Sequence, residues 1–127
     1  MSSLKIYHNP KCKTSRDVLE LIQKAGIESE VILYHVNPPS EIELRALILA
    51  SGGSVREIIR QRGTPYDELD LGNQKWTDDE LIQFILSHPI LLNRPIVSNG
   101  KKARLCRPVE TVQEFFQSTL NIAITLT

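Results

Sequence analysis

The chain has 127 residues, enough for one domain and too few for two of full size, and hydrophobic residues make up 41% of it, so a core forms without staples. Its formal net charge is zero, which argues against a general nucleic-acid binder, and no apolar run approaches the length of a membrane span. The opening MSSLKIYHN lacks the apolar stretch of a signal peptide, so a cytoplasmic location is expected, with Cys12 and Cys106 as free thiols.

In chain order, Leu4 to His8 reads as a short strand, with Leu4, Ile6 and His8 alternating with Lys5 and Tyr7, and Asn9-Pro10 ends it. A helix is predicted from about Thr14, carrying Val18, Leu19, Ile22 and Ala25 on one face and stopped by Gly26. Val31 to Tyr34 predicts a second strand, followed by the rigid connection Asn37-Pro38-Pro39. Three capping boxes follow: Ser40-x-x-Glu43 ahead of Leu44, Leu47 and Ile48; Ser54-x-x-Glu57 ahead of Val55, Ile58 and Ile59; and Thr77-x-x-Glu80 ahead of Leu81, Ile82, Ile85 and Leu86. Ser51-Gly52-Gly53 breaks the first of these helices, and Pro89 stops the last. Ile96-Val97-Ser98, Asn99-Gly100 and Ala103 to Cys106 form strand, turn and strand. Pro108 suits the first turn of a final helix with Val112, Phe115 and Phe116 inside. Asn121 to Thr127 is apolar and β-branched and fits no element of this scheme. The order β-α-β, helices, β-β-α is a thioredoxin-like α/β pattern: a single domain over 1–127 with a mixed sheet and a helical insert at approximately 40–88.

Charge is unevenly spread. Lys5, Lys11, Lys13 and Arg16 precede the first acidic residue, Asp17, and Arg94, Lys101, Lys102, Arg104 and Arg107 fall in the acid-free stretch between Glu80 and Glu110. Two readings stand: solvated faces, or two basic segments that meet around an anionic ligand.

Cys12 lies between a strand and a helix start, where partial positive charge and unpaired N–H groups favour the reactive thiolate; the alternative is a small buried hydrophobe. Ser15 stands where a dithiol motif would hold its second sulfur, so Cys12 is resolved by an outside thiol or by distant Cys106. Val18 occupies the sixth place after Cys12, where phosphatase-type reductases need an Arg. His8 and Cys12 are too few for a zinc site, and no glycine-rich nucleotide loop is present. His8 reads either as a strand-end histidine capped by backbone or as a tuning partner for the thiol. Arg94 precedes Pro95 at the corner where thioredoxin-like folds hold a cis-proline facing the active-site Cys, and Arg107 follows the next strand. A guanidinium fork suits a tetrahedral oxyanion. Arg60 is not singled out by spacing, since Arg56 and Arg62 fit the same local argument.

The segment Ile6 to Arg16, with Cys12 at its centre, resembles the active-site signature of the ArsC-type arsenate reductases. The likeness continues through Leu33-Tyr34, Asn37 to Ser40 and Ser54 to Arg56, and is densest over His88 to Val97 and Arg104 to Pro108. It implies arsenate reduction, as in arsenical resistance, with glutathione as co-substrate, glutaredoxin as partner and no bound cofactor or metal. It implies Cys12 as nucleophile, His8 and Ser15 as thiol-tuning residues, and Arg60, Arg94 and Arg107 as oxyanion ligands. The sequence departs at Asn99-Gly100-Lys101-Lys102, and it ends soon after the final helix, where close family members carry a longer charged tail. Two rivals share the fold: an ArsC-like thiol oxidoreductase of unknown substrate, and a transcription regulator of the Spx type, against which Ser15 speaks.

Overall fold

The computed structural model describes residues 4–116. Four strands, β1 (Leu4–His8), β2 (Ser29–Leu33), β3 (Ile96–Ser98) and β4 (Ala103–Leu105), form one mixed sheet in the order β2-β1-β3-β4. β1 runs parallel to β2, and β3 runs antiparallel to both β1 and β4. The parallel pair needs a crossover, which α1 (Lys13–Lys24) supplies, so the C-terminal ends of β1 and β2 lie side by side with His8 opposite Leu33.

The sheet is covered on both faces, and strand alternation sorts its residues between them. Leu4 and Ile6 of β1 and Val97 of β3 pack with Val18 and Ile22 of α1, Cys106, Val112 and Phe115. Tyr7, Ile96 and Ala103 face the other way, into a larger cluster with Leu44 and Leu47 of α2 (Glu41–Ser51) and Leu81 and Ile85 of α3 (Asp78–Ser87). Each fully buried Leu or Ile in these clusters contributes about 1.5–3 kcal/mol of transfer free energy. On α1, Val18 and Ile22 are buried, but Ala25 is exposed, because the helix ends at Lys24 and Gly26 turns the chain with a φ of 72°.

The three capping signals end differently. At Thr77 the full box forms: Thr77 Oγ1 accepts from the Glu80 N–H, and the Glu80 carboxylate accepts from the Thr77 N–H. At Ser40 only the first half forms, because Glu43 accepts a 2.5 Å hydrogen bond from the Tyr7 hydroxyl instead. At Ser54 there is no side-chain cap, and Val55–Ile58 is a single 3-10 turn rather than an α-helix. The second strand spans Ser29–Leu33 and leaves Tyr34 in the following turn; β4 stops at Leu105, one residue short of Cys106. Pro108 caps a 3-10 turn, Val109–Val112, which leads into α-helix at 113–116. The apolar stretch from Asn121 to Thr127 lies outside the described residues.

Candidate active site

β1 delivers the chain to a tight turn at the C-terminal edge of the sheet. Asn9 shapes that turn: its side-chain oxygen accepts from the Lys11 N–H at 3.0 Å and its carbonyl from the Cys12 N–H at 3.0 Å. Cys12 is thereby set as the N-cap of α1 in extended conformation, and its carbonyl accepts the first helical bond, from the Arg16 N–H at 3.0 Å. Cys12 has no side-chain oxygen to cap α1 as Ser or Asp would; its sulfur is set against the free Thr14 and Ser15 N–H groups of the first turn instead.

Burial works against ionisation of Cys12, but it is outweighed. The Ser15 backbone N–H, the hydrogen bond and charge of Arg107, and the Thr14 backbone N–H together hold the thiol below its ordinary pKa. Arg107 Nη1 lies 3.6 Å from Cys12 Sγ and also donates to the Arg94 carbonyl at 3.1 Å.

His8 and Ser15 are both buried and meet directly, with His8 Nδ1 2.6 Å from Ser15 Oγ. Ser15 Oγ also accepts from the Asn9 N–H at 3.1 Å. This pair ties the end of β1 to the first turn of α1 and so fixes the loop that carries Cys12. Burial first, then the positive charge of Arg16 and the neighbouring His35, lower the pKa of His8 and favour its neutral ring.

The arginines arrive from three separate segments. Arg94 precedes a cis peptide to Pro95 and is buried, with a relative exposure of 7%. Its Nη1 donates to the carbonyls of Ile90 and Leu92 at 3.2 and 3.4 Å, and its Nε has no partner among the described residues. The Cys106 N–H donates to the Pro95 carbonyl at 2.9 Å, which brings the Arg107 corner alongside the Arg94 corner; the Arg107–Pro108 peptide is also cis. Arg60 is placed by a bridge between Ile59 and Leu92, reinforced by Arg60 N–H to the Leu91 carbonyl and Asn93 N–H to the Ile58 carbonyl, both 2.8 Å. Asn93 Oδ1 then accepts from the Arg94 N–H at 3.0 Å and from Arg60 Nη1 at 3.5 Å.

These groups line a cavity of about 430 Å³, with Asn9, Lys11, Cys12, Lys13 and Thr14 on one side and Arg60, Arg62, Arg94 and Arg107 on the other. No acidic side chain among the described residues lines it. Among the described residues, Lys13 pairs with Asp17, but Lys11, Arg60, Arg62, Arg94 and Arg107 make no ion pair. Burial, then the charges of Arg94 and Arg107, press the pKa of Arg60 downward, a sign of mutual repulsion. An anion in the cavity relieves that repulsion. The two basic segments therefore meet here in part: Lys11, Lys13, Arg94 and Arg107 share the cavity, while Lys102 and Arg104 pair with Glu114.

Every residue singled out from the sequence as a site candidate thus gathers in one place, His8 and Ser15 through the Cys12 loop and the others on the cavity wall. Arg56, which the local pattern could not separate from Arg60, is spent elsewhere, donating to the carbonyls of Leu71 and Asn73 at 2.8 and 2.9 Å. Arg62 does reach the cavity. Asn9, which positions the cysteine loop, reads from the sequence only as the end of a strand, and nothing in the sequence singles out Asn93, which positions two arginines. No group of three or more His, Cys, Asp or Glu side chains suited to a metal occurs among the described residues, and none of their helices is long and apolar enough to cross a membrane.

The sequence profile of the ArsC family matches residues 7–115. An arsenate reductase from Escherichia coli is 50% identical over 125 residues, covering 98% of this chain and 89% of that protein. One from Rhizobium meliloti (strain 1021) is 51% identical over 114 residues, covering 90% of this chain and 81% of the other. Among solved structures, an arsenate reductase from Vibrio cholerae superposes with a TM-score of 0.84 at 42% identity, covering 89% of this chain and 97% of that one. Its thioredoxin-like sheet, its cysteine at the head of α1 and these matches together place the chain in the ArsC family.

Proposed function

We propose that this chain reduces arsenate to arsenite, with Cys12 as nucleophile and glutathione and a glutaredoxin as the source of electrons. The observation that carries the reading is Arg94. A guanidinium stays charged in proteins, yet this one is buried against backbone carbonyls with no carboxylate partner, one peptide from the cis-proline corner and beside a cysteine whose thiolate is favoured. A buried cation without a counter-ion is costly, and a tetrahedral dianion with paired oxygens is the ligand that removes the cost.

Arsenate enters the cavity and is held by Arg60, Arg94 and Arg107. The Cys12 thiolate attacks arsenic, an As–S bond forms, and one arsenate oxygen leaves as water after taking up protons. Glutathione adds to the same arsenic through its sulfur, displacing a second oxygen as water. A glutaredoxin thiolate then attacks the glutathione sulfur. The electron pair of the As–SG bond passes to arsenic, reducing As(V) to As(III), and glutaredoxin and glutathione depart as a mixed disulfide. Hydrolysis of the remaining Cys12–As(III) bond frees arsenite and restores the thiol. The arginines stabilise the oxyanion throughout, because they are already oriented by backbone bonds before substrate arrives.

The second sulfur is assigned to glutathione because Cys106 is unsuited to supply it. It is fully buried, and burial followed by the nearby charge of Glu114 pushes its thiol up to about 12. The deciding experiment is arsenite production by purified protein, side by side, with glutathione plus glutaredoxin and with thioredoxin plus its reductase. Turnover in the first mixture and little in the second is expected. Equal or better turnover with thioredoxin rejects the glutaredoxin-linked reading, and no arsenite in either rejects arsenate as substrate.

A further inference from the structure

Among the described residues, two buried side-chain polar atoms have no hydrogen-bond partner: Arg94 Nε and the hydroxyl of Tyr34. They belong to the same neighbourhood. Tyr34 follows β2 directly, and the parallel register that sets Leu33 against His8 brings Tyr34 to the level of Asn9, the first residue of the Cys12 loop. The residue is fully buried in the cluster that also holds Ile58, Leu91 and Leu92, the segments that bear Arg60 and Arg94. Its hydroxyl is within electrical reach of Arg94, Cys12 and Arg60, and the Asn9 side chain comes close enough to act on it without meeting hydrogen-bond geometry. Burial keeps its ionisation above the ordinary phenol range, so at neutral pH it retains its proton as a donor.

Buried hydroxyls in folded proteins are nearly always paired, and an exception calls for a missing partner. Two orphaned donors in one neighbourhood, one of them a cation on the cavity wall, ask for a shared acceptor. Resting on arsenate as the substrate, we infer that Tyr34 is a further substrate-positioning residue: its hydroxyl and Arg94 Nε together receive one oxygen of the bound oxyanion at the inner end of the Cys12 cavity. The remaining arginines take the outer oxygens. Tyr34 orients the tetrahedron so that arsenic faces the sulfur, and it adds a neutral donor where a further cation would increase the repulsion already felt by Arg60.

The test is Tyr34→Phe, which removes one oxygen and keeps the ring. Three quantities are compared with the unaltered protein: the concentration of arsenate or phosphate that half-protects Cys12 from iodoacetamide, the KM for arsenate in the glutaredoxin-coupled assay, and the thermal midpoint. The half-protecting concentrations and KM are expected to rise at least fivefold, with kcat changed less than twofold. The thermal midpoint is expected to hold or rise, since an unpartnered buried hydroxyl has been deleted. Unchanged protection overturns the inference, and so does weaker protection accompanied by a lower midpoint, which marks the hydroxyl as structural. If neither anion protects the unaltered protein, the inference also falls. If both anions protect it in a Tyr34-dependent way but no arsenite forms, the inference stands as an oxyanion subsite and it is the proposed reaction that fails.

Discussion

Cys12 and Cys106 both lie near arginines, yet their surroundings drive them to opposite ends of thiol chemistry. Cys12 caps a helix, half-open to a cavity with no acidic wall residue among those described, and backbone N–H groups and Arg107 draw it toward thiolate. Cys106 follows β4 with its sulfur inside the apolar layer between the sheet and α1, 3.7 Å from the Arg104 carbonyl. The nearby Glu114 adds negative charge, and the cations that neutralise it, Lys102 and Arg104, are engaged by its carboxylate. The difference teaches that proximity to basic residues in sequence decides little. What decides is whether the cation points its N–H at the sulfur and whether helix-end donors are free to join it.

The largest effect expected from breaking this contrast is in Cys12→Ser, which should lower arsenite formation by at least a thousandfold in the glutathione and glutaredoxin assay, because the hydroxyl is not ionised at working pH. Arg94→Ala comes next. Losing charged hydrogen bonds to substrate costs about 1.5–3 kcal/mol, so kcat/KM for arsenate should fall roughly ten- to hundredfold. Arg107→Ala should show a loss of the same order together with a second symptom that Arg94→Ala shares only weakly, a rise in the Cys12 pKa, read from alkylation rates against pH. Arg107→Lys should recover part of the pKa effect and little of the binding, since a point charge cannot donate a planar pair.

Stability gives a quieter test. The folded pKa of Cys12 is depressed, so the unfolded chain binds more protons there. The thiolate's contribution to stability is fully present above the unfolded thiol pKa and is lost as pH falls through the folded one. Denaturant melts of wild type and Cys12→Ser should therefore diverge in wild type's favour as pH rises toward 9 and converge at acid pH. Smallest of all should be the catalytic effect of Cys106→Ala, less than about twofold in kcat/KM, with a stability loss of about 1–2 kcal/mol from the buried volume removed. A large activity loss without a matching stability loss would reopen Cys106 as a resolving thiol.

Much of this was legible in the chain itself where local signals suffice. A strand, a turn and a cysteine heading a helix follow from alternation, Asn9-Pro10 and the α1 periodicity, and Asn99-Gly100 marks its hairpin. The Arg94-Pro95 corner was expected to be cis and is. Local signals failed where a distant group competes. Ser40-x-x-Glu43 has the same letters as a full box, but Tyr7, 36 residues earlier, takes the Glu43 carboxylate. Ser54-x-x-Glu57 has no helix to cap because the chain leaves its 3-10 turn at Ile59 to bridge Leu92. The same bridge chooses Arg60 over Arg56, and no periodicity encodes it. Tyr34 reads as the last apolar residue of a strand, and only the closed fold shows that its hydroxyl ends within electrical reach of Arg94 and Cys12, without a hydrogen-bond partner among the described residues.

The contrast between the two cysteines is open to one direct measurement: iodoacetamide labelling of the folded protein from pH 5 to 9, with the rate at each cysteine resolved by peptide mass spectrometry. Cys12 should label along a titration curve whose midpoint lies below the value of about 8.5 for a free thiol, while Cys106 stays unlabelled throughout. A Cys12 midpoint at or above about 8.5, or comparable labelling of Cys106, would contradict the electrostatic account of this site.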